Sequence, residues 1–85
     1  MNRRSLFSSN EIITALQRAG FELARKTKGS HQALKRRRAD GGHDVAVVVL
    51  GKKEIPEGTL RGILKQANVE YEEFLNLTKV KRKGK

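Results

Sequence analysis

The stretch VAVVVL at residues 45–50 narrows the possible folds more than any other part of the chain. Valine is stiff at χ1 and suits a pleated surface, so a run dominated by it reads as a β-strand. Asp40-Gly41-Gly42 before it and Gly51 after it are turn punctuation. The run is apolar at both parities, so it carries a greasy face even on the side that packs no core. A strand also needs hydrogen-bonding partners, and two candidates lie just upstream. FELARK, residues 21–26, alternates with period two, and SHQALKR, residues 30–36, continues after a turn at Lys28-Gly29. Three sequential strands joined by short turns form an antiparallel meander.

Helical patterns flank these strands. In SSNEIITALQRAG, Ser8 stands three residues before Glu11, the spacing of a capping box, and Gly20 supplies the stop. Ile12, Ile13, Leu16 and Ala19 make one apolar stripe. In PEGTLRGILKQANV, Leu60, Ile63, Leu64 and Ala67 recur at helical spacing behind Pro56, which suits a first turn. A further short helix is expected through Tyr71, Phe74 and Leu75. The order is α-β-β-β-α with an optional last helix. This is an α+β fold of the double-stranded-RNA-binding-domain type, with both main helices on one sheet face. Residues 1–8 are expected as a flexible lead, 9–77 as the domain and 78–85 as a disordered basic tail.

Alternation then assigns faces. With Leu34 beside Phe21 and Leu23 under the helices, His31, Ala33 and Lys35 point to the open face. Two readings of the outer valines stay open. Either Phe74 and Leu75 fold over them, or the third strand, an edge, pairs with or packs on a second chain.

Charge indicates what that open face meets. The chain carries 19 Lys and Arg against 9 Asp and Glu, a formal net charge of +10, which calls for an anionic partner. Residues 79–85 hold five of the cations and read as a solvated arm. Residues 25–38 hold seven more with no acid among them, and they lie within expected structure. The absence of cysteine excludes disulfides and thiolate metal sites. Asp44, Glu54 and Glu57 match no metal-cage spacing and read as solubilising surface, and His43 as a polar strand start. No stretch has the length of a membrane span or the form of a secretory signal, so the cytoplasm is the expected location and no membrane partner is expected.

The helix-to-hairpin sequence GF…ARKTKGSH, together with IPEGTLRGILKQANV further on, resembles the HicA toxins of bacterial type II toxin–antitoxin systems. The resemblance covers about residues 12–75. It implies a small endoribonuclease that cleaves messenger RNA without a metal and is silenced by a HicB-type antitoxin. It also implies that the histidine of Gly-Ser-His, here His31, is catalytic. Many members carry a second histidine directly after the first and an aromatic two places on, where this chain has Gln32 and Leu34.

The residues suit that chemistry. Imidazole titrates near neutrality and moves protons well. Lys28, Lys35, Arg25 and Arg36 are candidate ligands for the scissile and flanking phosphates. Gly29 allows close approach of backbone to RNA, and Ser30 orders the turn. The alternatives are a non-catalytic RNA-binding module and an inactivated family member; a homodimer through the edge strand is also possible. Removing residues 79–85 is expected to weaken RNA binding about equally for all sequences and leave cleavage in place. Filter binding and gel cleavage assays on the truncated chain check this.

Overall fold

The computed structural model describes residues 6–26 and 29–79, the side chains of Arg25 and Lys26 excepted. The elements run α1 (Ser9–Arg18), β1 (Glu22–Lys26), β2 (His31–Arg37), β3 (His43–Val49), α2 (Glu57–Ala67) and α3 (Tyr71–Thr78). The three strands form one antiparallel sheet in the order β1-β2-β3, so β2 is central. This is the expected α-β-β-β-α arrangement, and the optional last helix is present. The proposed basic tail lies outside the described residues beyond Lys79.

Local chemistry accounts for the helix ends. Ser8 Oγ accepts from the Glu11 N–H at 3.1 Å while Glu11 Oε1 accepts from the Ser8 N–H at 2.8 Å, which completes the capping box. Chain reversal after α1 uses Gly20 at φ 102°, a left-handed value that glycine adopts without strain. Pro56 sits at the N-cap of α2, and Asn68 at φ 63° ends that helix. The apolar stripes Ile12, Ala15, Leu16 of α1 and Leu60, Ile63, Leu64, Ala67 of α2 are buried. They meet Leu34 of β2 and Ala46 and Val48 of β3 in one core. α2 lies mainly on β3, and α1 is held between β3 and α3.

Two expectations are corrected, and one of the two open readings of the outer valines is closed. Leu23 is 54% exposed rather than buried. It stands opposite Leu34 in register and therefore on the helix side, but on the outer strand β1, away from the helices, which lie mainly over β3. Phe7, expected in a flexible lead, accepts a hydrogen bond at its carbonyl from the Ile55 N–H at 2.8 Å. Its ring stands edge-on to that of Phe74 at 5.1 Å. Phe74 itself is fully buried in the core, so α3 does not fold over the outer valines.

Ser9 is a buried polar residue with a clear task. Its hydroxyl donates to the Val49 carbonyl and accepts from the Lys52 N–H at 3.0 Å, while its own N–H donates to the Lys52 carbonyl at 2.9 Å. The start of α1 is thereby fastened to the end of β3. Leu34→Ala is expected to cost about 2–5 kcal/mol, whereas Leu23→Ala stays within about 0.5 kcal/mol, measured by urea unfolding.

Candidate active site

The site is built on β2 by alternation. Across the sheet, His31 pairs with Val49, Ala33 with Val47, Lys35 with Val45 and Arg37 with His43. All eight share the face opposite Leu34, Ala46 and Val48, and therefore opposite the helices. His31 is exposed there as the first residue of β2. The turn before it needs Gly29 for its backbone, at φ 66°, and not for space, since nothing lies within 4 Å of a Cβ added there. The Ser30 carbonyl accepts from the Leu50 N–H at 2.6 Å, which pins the turn to the end of β3.

The residues singled out from sequence divide into groups. Gly29, Ser30 and His31 are contiguous at one end of the open face. Lys35 shares the face, but four residues along a strand is about 13 Å, too far for one phosphate to touch both side chains. Lys28 and the side chain of Arg25 lie outside the described residues. Arg36 points the other way.

Arg36 is tied into the fold. It donates to Asp44 Oδ2 at 2.9 Å and to the Ala19 carbonyl at 3.0 Å, and its guanidinium lies 4.6 Å from the centroid of the Phe21 ring. Arg38 donates to the other oxygen, Asp44 Oδ1, at 3.0 Å and to Asp40 Oδ1 at 3.2 Å. Asp44, expected on the surface, is only 4% exposed. The arginine hydrogen bonds, Arg36 first and then Arg38, hold its carboxyl below the usual carboxylate range against the opposing effect of desolvation. The alternating cations of residues 35–38 thus have two fates. Arg36 and Arg38 pair with buried Asp44, Arg38 with Asp40 as well, and Lys35 and Arg37 face solvent.

Gln32 also faces the helix side. Its amide donates to the Ala24 carbonyl at 2.7 Å and to the Ala33 carbonyl at 2.9 Å, across the register shift between Leu23 and Lys26. A side chain at position 32 therefore lies across the sheet from His31. Replacing a histidine there removes no group from the open face. Ser9 was not singled out from sequence, and Gln32 was noted there only in place of a second histidine, because the roles of both rest on tertiary hydrogen bonds.

Among the described residues, no three His, Cys, Asp or Glu side chains converge to hold a metal ion, and no helix is long and apolar enough to cross a membrane. A search of curated proteins returns no match. A family model described as the HicA toxin of bacterial toxin–antitoxin systems matches residues 9–69. The chain belongs to the HicA family. It is accordingly the toxin of a toxin–antitoxin system. The matched region runs from the first residue of α1 to Val69 and so contains the Gly-Ser-His turn, the whole sheet and α2.

Asp44 gives the site's frame a pH signature. Because its folded pKa lies below the unfolded value near 3.9, its stabilisation is complete above about pH 4 and is lost as pH falls through the folded value. Asp44→Asn is expected to be less stable than the parent at pH 7. The difference should shrink below about pH 4, measured by urea unfolding across that range.

Proposed function

We propose that this HicA-family toxin is an endoribonuclease that cleaves messenger RNA without a metal and that His31 carries the proton transfers. The observation behind this reading is an exposed imidazole on a sheet face that no described element covers, beside a glycine turn, in a chain of net charge +10. Cleavage begins when the imidazole takes the proton of a ribose 2′-hydroxyl. The 2′-oxygen then attacks the adjacent phosphorus, the P–O5′ bond breaks, and the departing 5′-oxygen takes a proton from the imidazolium or from water. The products are a 2′,3′-cyclic phosphate and a 5′-hydroxyl. Gly29 and Ser30 admit the RNA backbone to the turn, and Lys28 and Arg25 offset charge on the phosphorane. One imidazole serving both proton steps makes a slow nuclease, which suffices to halt translation.

The same face accounts for neutralisation. The outer edge of β3 has no strand partner among the described residues, and exposed Val45 stands next to it. A HicB-type antitoxin with an acidic surface fits there, adding a strand to the edge and excluding RNA from the face. Expression of the toxin is expected to arrest growth, and His31→Ala to abolish arrest with circular dichroism unchanged. Incubating purified toxin with RNA in chelator reads the chemistry directly. Binding without products marks a non-catalytic module, and neither arrest nor cleavage marks an inactive family member.

A further inference from the structure

The end of the open face farthest from His31 has features that a single cleavage centre does not use. A cleft of about 400 Å³ opens there, lined by Gly20, Glu22, Lys35, Arg36, Arg37 and His43. Lys35, Arg37 and His43 are all exposed. Arg37 and His43 are cross-strand partners and sit side by side, with Lys35 and Val45 forming the next row. Asp44 and Asp40 together offset the arginines on the other face, Arg36 and Arg38, and among the described residues no ion pair joins either acid to Lys35 or Arg37. The surplus positive charge of the run is therefore delivered to one face and one cleft.

We propose that this cleft is a second phosphate subsite, in which Arg37 and His43, with Lys35, hold an RNA phosphate well away from the scissile one. The inference rests on the reading that RNA is the ligand of this face. Six residues of β2 separate His31 from Arg37, a span of about 20 Å. That matches about six stacked nucleotides at a rise of about 3.4 Å each, and fewer when the strand is stretched. Between the two polar ends lie Ala33, Val47 and Val45, an apolar floor over which bases can pass. Glu22, opposite Lys35, repels a phosphate laid against it and accepts a hydrogen bond from a ribose 2′-hydroxyl. The phosphate therefore belongs on the Arg37–His43 side. β2 acts as a ruler: an RNA reaching both ends is held at two points, and a shorter one at one.

The test uses the full chain carrying His31→Ala, so that binding is read without cleavage. Fluorescently labelled oligouridylates of 3 to 12 nucleotides are titrated by anisotropy. Affinity is expected to rise with length to about six nucleotides and then level off. Adding Arg37→Ala and His43→Ala should cost about tenfold on the 12-mer and at most about twofold on the 3-mer, which retains the other end. The salt dependence of 12-mer binding should become shallower by about one unit of slope. Arg37→Lys with His43 intact should retain most of the gain, which separates lost charge from lost folding. Equal losses at every length, an unaffected 12-mer, or no RNA binding would overturn the proposal. If the length effect holds while unsubstituted protein cleaves nothing, the subsite stands and the nuclease reading falls.

Discussion

The central strand β2 is hydrogen-bonded along both edges but, among the described residues, covered on only one face, and the rest of the molecule follows from that asymmetry. Its pairing with β1 and β3 fixes the register, so no residue can change sides without moving the whole strand. Even-numbered positions go toward the helices, where Leu34 fills the core, Gln32 bonds to the shifted part of β1 and Arg36 reaches Asp44. Odd-numbered positions go to solvent, where an imidazole and two cations meet whatever docks. A basic run that looks uniform in sequence is thereby sorted by a two-residue period.

Asp44 completes the sorting. A guanidinium brought close to Phe21 loses much of its hydration, and a carboxylate held within hydrogen-bond distance offsets the loss. Each oxygen of Asp44 serves one arginine, and Asp40 adds a second carboxylate at Arg38, so two acids offset two cations. Without Asp44, repulsion along residues 35–38 would act on both faces of the sheet. With it and Asp40, the cations of residues 35–38 that pair with neither acid, Lys35 and Arg37, are on the side carrying His31. The HicA family match covers this whole arrangement, from the start of α1 to the end of α2.

The features read correctly from sequence are those governed by local rules. The Ser8–Glu11 box, the stripe on α2, the valine strand and the outward parity of His31 need only capping chemistry and periodicity. Features that depended on what lies overhead were misread. Leu23 has the parity of a core residue, yet it occupies an outer strand that the helices do not cover. Asp44 looked like solubilising surface because an acid beside a turn in a basic chain is ordinarily solvated, and nothing local marks it as enclosed. Arg36 was grouped with Lys35 by sequence proximity, although adjacent residues on a strand face opposite ways. Phe7 precedes the first cap, and only the fold brings it to Ile55 and Phe74.

The Ser9 clasp has a dynamic consequence. Strand ends beside exposed turns normally fray, with local opening free energies far below that of global unfolding. Here the last turn of β3 shares three hydrogen bonds with the first turn of α1, so separating it means unwinding a capped helix as well. The amide protons of Leu50 and Lys52 should exchange with solvent together with those at the start of α1, as one cooperative unit. His31, paired with Val49, is thus mounted beside a strand end that is hard to separate from the helix.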